Sequence, residues 1–329
     1  MATIVDAHND LLLELVLRER ETNPFRGRWL EQLERGGVRV QVCPMYAAGE
    51  KRPREVALAQ AAAFDRAVAE NGDRVVHART RAELDDRRLA LILSLEGVEP
   101  LEGDAAAFDE WWERGVRLAS LTWNYSNAFG GGIDDPEQGV TDAGRALVRR
   151  MGELGAIVDL AHASPRTFAD VLERVPDGGV CVTHAGCRAL NDVPRNLSDE
   201  QLRALAERGG VHGVMALVLT VGPDQPTLAR FVDHVEHAVA VMGVEHVGLG
   251  ADFIDQVLES EIAAASELEQ ATEEAMRLGG GTLAIRELQG PADYPRLLDA
   301  LRRRGFDGER VDAIAGRNWL RLLRGALPG

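Results

Sequence analysis

Lysine is almost missing from this chain of 329 residues: Lys51 is the only one, and the other basic residues are arginines. Lys51 stands in the polar stretch Gly49-Glu50-Lys51-Arg52-Pro53. That setting counts against Schiff-base chemistry and against a phosphate-cradling loop, which need a buried lysine or a Gly-rich turn into a helix. It also counts against a metal pair bridged by a carboxylated lysine. Cysteine is scarce too. Cys43, Cys181 and Cys187 are too few for a disulfide scaffold and suit the reduced thiols of a cytoplasmic protein. No apolar run reaches the roughly 18 residues of a membrane span. Residues 1–10 have neither the basic nor the apolar segment of a signal peptide, so none is expected. Positive charge is in deficit, with 37 basic against 53 acidic residues and a net charge of -16. Such a field repels nucleic-acid phosphates and anionic lipid, so neither a nucleic-acid nor a membrane partner is expected.

What is present alternates. Short apolar, β-branched runs at 3–8, 38–45, 89–95, 116–121, 156–161, 180–183, 211–217 and 246–250 are separated by amphipathic stretches. Helices are expected at 54–69, 105–114, 142–154, 165–174, 198–207 and 227–242. Ser164-Pro165 places a cap residue before a proline at the first helical position, and Ser198 to Gln201 reads as a capping box. The continuous apolar runs suit strands covered on both faces. Eight of them alternating with helices predict a (β/α)8 barrel of the TIM type, class α/β, as one domain over 1–329. A doubly wound open sheet is the alternative, but no Gly-x-Gly-x-x-Gly follows the first strand. Residues 254–290 run long after the last strand. Within them 259–278 is acidic, Ala-rich and helical in period, and Gly279-Gly280-Gly281 breaks it, so an inserted helical segment is expected there.

Polar residues fall at one end of these runs. Asp6-Ala7-His8-Asn9-Asp10, Ser94-Leu95-Glu96, Asp159-Leu160-Ala161-His162, Thr183-His184 and Gly250-Ala251-Asp252 each end an apolar strand in His, Asp or Glu. In a barrel these are the C-terminal strand ends, where active sites form. Burying such groups without partners is costly, so shared cations explain five endings better than five accidents. His8 and Asp10, two apart, face one side of an extended segment, His162 and His184 supply two imidazole nitrogens, and Glu96, the isolated acid between these groups, could bridge two cations. Mixed imidazole and carboxylate donors suit two Zn²⁺, with Mn²⁺ or Co²⁺ as alternatives, and do not suit Ca²⁺. Asp252 alone could instead cap a helix. The other histidines read as bland: His234 and His237 as solvated helix-face residues, His77 as part of a connection. Cys187 reads as a loop thiol.

The segments DAHND, SLEGVEP, LTWNYSN, VDLAHAS, VTHAG followed by VPRNLSD, VGLGADF and the closing AGRNWLRLL resemble the membrane (renal-type) dipeptidase family of zinc metallopeptidases. The resemblance runs from residue 4 to 322. It implies a barrel with two zinc ions and hydrolysis of a dipeptide by a bridging hydroxide, often with tolerance of a C-terminal D-residue. Asp252 would shuttle the proton, and Arg195, eleven residues after His184, would hold the substrate's carboxylate. Trp123 stands where the animal enzymes carry a substrate-contacting histidine, with Asn124 next to it, and Met215-Ala216-Leu217-Val218 lacks their tyrosine. Both departures bear on substrate choice. The resemblance also allows a homodimer, and membrane anchoring is not expected to carry over, because the chain lacks a lipid-attachment signal. The alternatives are a binuclear hydrolase of another small amide, ester or lactam, and a catalytically inactive binding protein.

Overall fold

Residues 3–222, 226–254 and 283–329 are described by the structure, a computed structural model. Among the described residues nine strands form, all parallel in their pairings: β1 Ile4–Asp6, β2 Val38–Tyr46, β3 Val75–His77, β4 Leu89–Glu96, β5 Val116–Ser120, β6 Ile157–Asp159, β7 Val180–Ala185, β8 Val211–Val214 and β9 Val247–Leu249. Eight of them make a ring in the order β2-β1-β9-β8-β7-β6-β5-β4, which closes because β2 also pairs with β4 from Val40↔Ala90 to Tyr46↔Glu96. The fold is the (β/α)8 barrel.

The strand outside the ring, β3, corrects one expectation. His77 lies not in a plain connection but at the end of β3, which pairs with β4 from Val75↔Leu89 to His77↔Leu91. The strand β5 joins the same edge of β4 only from Leu93 onward. Three residues are too few to show a period of their own, and only the free edge below β5 makes them a strand.

Alternate strand residues divide between two cores, as a two-residue side-chain period requires. Val5, Val40, Val42, Ile92, Leu118 and Ile157 cluster with Trp319, Leu322 and Leu323 of the helix Asn318–Ala326. That helix closes the far end of the barrel: Arg321 donates to the carbonyls of Gly209 and Glu245, just before β8 and β9 begin. The indole N–H of Trp319 donates to Leu249 O at 3.1 Å. A Cβ at Gly248 would come within 2.2 Å of that indole, so the helix docks only against glycine. The other strand residues, Leu91, Leu93, Leu95 and Val158 among them, pack outward on the helices.

The helix signals act as expected. Ser164 Oγ accepts from Thr167 N at 2.9 Å to start Pro165–Leu172, and Ser198 and Gln201 exchange both capping-box bonds to start Asp199–Glu207. Of the expected insertion at 254–290, residues 255–282 lie outside the described residues. At its end the chain returns to the barrel mouth, where Ala284 bridges Leu217 and Ile285 N donates to Ala216 O at 3.1 Å. No helix among the described residues is long and apolar enough to cross a membrane.

Candidate metal centre

Each strand end delivers its side chain by a specific local device. Beyond β1, His8 and Asp10 lead into the helix Leu11–Leu17, with Asp10 at its N-cap position. Glu96 is the last residue of β4, and Gly97 turns the chain away at once with φ +80°. His184 sits within β7. His162 and Asp252, which follow β6 and β9, have φ of 62° and 59°. Left-handed backbone costs a non-glycine residue on the order of 1–3 kcal/mol and persists where its surroundings enforce it. Among the described residues four non-glycines adopt it, and two of the four are here.

The barrel brings all six side chains together, and each is at most 6 % exposed. His8 Nε2 lies 3.5 Å from Glu96 Oε2, 3.6 Å from Asp10 Oδ1 and 3.9 Å from Asp252 Oδ1. On the other side of the same carboxylate, Glu96 Oε1 is 2.9 Å from His162 Nε2 and 3.5 Å from His184 Nε2. The two imidazole Nε2 atoms are themselves 3.0 Å apart. His8 and His184 stack with ring centroids 3.6 Å apart.

The hydrogen bonds on the far side of the rings decide what these nitrogens can do. His162 Nδ1 donates to Asn124 Oδ1 at 2.7 Å. Thr183 Oγ1 donates to Asp159 Oδ2 at 2.5 Å, so it accepts from His184 Nδ1 at 2.8 Å. Asp159 is held in turn by the backbone N–H of Ala161 at 3.0 Å and of Thr183 at 2.9 Å. With both Nδ1 atoms protonated, both Nε2 atoms present lone pairs to each other and to a carboxylate oxygen. His8 Nε2, Asp10 Oδ1 and Asp252 Oδ1 are buried with no hydrogen-bond partner. Converging lone pairs and orphaned buried acids are the arrangement a cation resolves.

The electrostatics agree. Burial lifts the Asp252 carboxyl to about 8, with Asp10 and Glu96 adding to the rise. Burial and then Glu96 also raise Asp10. Burial opposes charge on His8, yet Glu96 and Asp10 hold its pKa well above the ordinary value. Burial, followed by the Arg195 charge, drops His162 to about 3. The same field that draws a proton to His8 would draw a metal ion, and the nitrogen and carboxylate donors suit Zn²⁺, Mn²⁺ or Co²⁺. Among the described residues two groups meet the geometry for an ion, His8–Glu96–His184 and His8–Asp10–Asp252. The donors present fit a divalent transition-metal ion.

From these groups a cavity of about 390 Å³ opens outward. Leu13, Ile133, Met215, Leu217 and Leu283 make much of its wall. Trp123 stands in it, its ring centroid 5.4 Å from that of Tyr46 and 5.7 Å from that of His162. Among the described lining residues Arg195 is the one cation, its guanidinium donating to His162 Nε2 at 3.0 Å. Asn124 also lines the cavity, so besides the substrate position expected for it, it orients a ring of the centre.

Sequence reading missed Asp159 and Thr183 as functional residues, although both lie in the quoted strand ends. It also placed His234 on a solvated face, whereas the residue is fully buried behind the barrel wall. Spacing of i,i+3 shows that His234 and His237 share a helix side but not which way it faces. His237 does reach the surface, 2.7 Å from Asp199 Oδ1. Partners that orient a metal's ligands typically contribute about 10–100-fold to its affinity. We expect Thr183→Val to weaken zinc binding by about that factor, read by competition against a chromophoric chelator. An unchanged affinity would reduce Thr183 to a packing residue.

Comparison with known proteins places the chain. The model of the membrane dipeptidase family, peptidase family M19, matches residues 1–279. An uncharacterized protein from the pqqA 5′ region of Klebsiella pneumoniae is 31 % identical over 253 residues, 73 % of this chain and 83 % of that protein. An uncharacterized dipeptidase of Schizosaccharomyces pombe is 29 % identical over 72 % of this chain, which spans 53 % of that longer protein. Among solved structures, a Rhodobacter sphaeroides metallo peptidase liganded with a phosphinate mimic of L-Ala-D-Ala superposes with a TM-score of 0.84, at 23 % identity and covering 99 % of both chains; at that identity the likeness speaks for the fold. On the family match and the identity to the Klebsiella protein, the chain belongs to the membrane dipeptidase family, peptidase family M19, and is an enzyme of the metallopeptidase type.

Proposed function

We propose that the protein hydrolyses dipeptides at a pair of divalent cations, zinc in the first instance. His8 and Asp10 would hold one ion, His162 and His184 the other, and Glu96 would bridge them. The observation that carries this reading is the position of Glu96, one oxygen toward His8 and the other toward both remaining imidazoles. When bound, the ions supply Lewis acidity that polarises the scissile carbonyl and acidifies a water.

The chain's own residues do the rest. Hydrolysis forms one C–O bond, breaks the C–N bond and moves one proton from water to the leaving nitrogen. Asp252 is suited to that transfer, because its Oδ1 is buried, unpartnered and aimed at the centre. Arg195 takes the substrate's terminal carboxylate, since a guanidinium matches a carboxylate in two parallel hydrogen bonds. Its grip fixes the length of the substrate and the bond presented. Trp123 and Asn124 lie against the substrate beside His162, where the wide, mostly carbon wall favours apolar side chains and excludes bulk water. Acceptance of a C-terminal D-residue belongs to the same proposal and leans on the ligand of the Rhodobacter relative.

Elemental analysis should find about two transition-metal ions per chain. A panel of L,L- and L,D-dipeptides with added Zn²⁺, Mn²⁺ or Co²⁺ should show turnover that chelation abolishes. Activity only on amides, esters or lactams without an α-carboxylate would replace this reading with that of another hydrolase. A metal-replete protein inert on the whole panel would make it a binding protein. We expect Arg195→Met to lower kcat/KM for free-carboxylate dipeptides by about 10–100-fold, the worth of a hydrogen bond to a charged group, chiefly through KM. C-terminally amidated dipeptides should change little. An equal effect on both substrate types would argue against carboxylate recognition.

A further inference from the structure

Two separate stretches that supply none of the proposed metal ligands form part of the cavity wall. The loop after β7 contributes Val193, Pro194 and Arg195, and the segment after β8 contributes Leu217, Leu219 and Thr220. The loop closes on itself: Leu197 N donates to Gly186 O at 3.1 Å, Arg188 N to Leu197 O at 2.8 Å, and Gly186 N to Asn196 Oδ1 at 2.9 Å. It is then tied to the other stretch. Asn196 Nδ2 donates to Thr220 O at 2.9 Å, and Asn191 Nδ2 donates to Leu219 O at 2.7 Å.

Behind both stands His234, on the buried side of the helix Leu228–Met242 with Phe231, Val235 and Ala238. Its Nδ1 accepts from Cys187 N at 2.9 Å, inside the loop, and its Nε2 donates to Val221 O at 3.0 Å, inside the other stretch. Cys187 Sγ returns a bond to His234 O at 3.4 Å. Only the neutral ring protonated on Nε2 can make both imidazole bonds, and burial, which pushes His234 down to about 4, keeps it in that form. An aliphatic residue at this place would bury an amide and a carbonyl without partners. His234 touches neither the metal ligands nor the cavity.

We propose that His234 is a positioning residue for substrate recognition: it locks the loop carrying Arg195 to the stretch carrying Leu217 and Leu219, so that the carboxylate clamp and the apolar wall move as one body. The inference rests on the reading of Arg195 as that clamp. Misplacing a binding group by about 1 Å can cost up to about a hundredfold, so the loss of this lock should register in binding.

The test is steady-state kinetics on the metal-loaded enzyme with free-carboxylate and amidated dipeptides. His234→Leu cuts both ties and should raise KM for free-carboxylate substrates by about tenfold, with kcat and metal content held. Amidated substrates should respond less. His234→Asn keeps an acceptor where Nδ1 stands and should recover most of the KM. Should the leucine variant not fold, Asn196→Ala severs the neighbouring tie between the same two stretches and should give the same rise. Unchanged KM in the folded variants, or a fall in kcat alone, overturns the proposal. Arg195→Met, run in parallel, separates the two ideas. If it distinguishes free from amidated substrates and His234→Leu does not, the lock alone falls; if it does not distinguish them, the clamp reading fails and takes the lock with it.

Discussion

Replacing Asp252 with asparagine should leave two metal ions bound and reduce kcat by about 10²–10⁴, the usual worth of a positioned proton carrier. The substitution keeps the shape of a side chain that is 5 % exposed and whose backbone is already strained at φ 59°. Its backbone N–H still donates to His8 O at 3.3 Å. What changes is that an amide cannot take up the proton. The measurement has two halves, metal content and turnover, because Asp252 also forms a group with His8 and Asp10 that could hold an ion. Loss of metal in Asp252→Asn would move Asp252 into the ligand set. Full metal with an unchanged rate would remove it from the chemistry altogether.

Glu96→Gln should have the other large effect, on the metals themselves. Glu96 is the group whose two oxygens face both halves of the centre, at 3.5 Å from His8 and at 2.9 and 3.5 Å from His162 and His184. Glutamine keeps the length but removes the negative charge and turns one of the two acceptors into a donor. Metal content should fall from two ions to one or fewer after dialysis. Lewis-acid stabilisation is worth several kcal/mol, and each 1.36 kcal/mol is tenfold in rate, so turnover should fall by at least about 10³. A variant that keeps two ions and a near-native rate would end the bridging role. Thermal unfolding of the parent with and without chelator gives an independent check, since ions bound only by the folded state raise its stability.

The barrel was readable because parallel strands buried on both faces appear as unbroken apolar runs, and because a cap residue announces each of several helices. The candidate ligands were visible because a charged or imidazole side chain at the end of such a run has few other reasons to be there. The partners of those ligands were not. Asp159 and Thr183 are 24 residues apart and meet only because β6 lies beside β7 in the register Asp159↔Cys181. Nothing local to either residue encodes that register. His234 was misread for the same kind of reason: helical period places it on a face, and the packing of that helix against the barrel decides whether the face is wet.

What the chain carried in one dimension, then, was the list of donors and the strand end on which each would stand, since apolar runs and polar endings are local features of composition. What needed three dimensions was the division of labour. Closure of β2 onto β4 completes the ring that holds Glu96 between His8 and the His162–His184 pair, and the hydrogen bonds behind the rings choose which nitrogen faces inward. Those relations depend on register and packing between segments far apart along the backbone, where burial, and not neighbouring sequence, selects the partners.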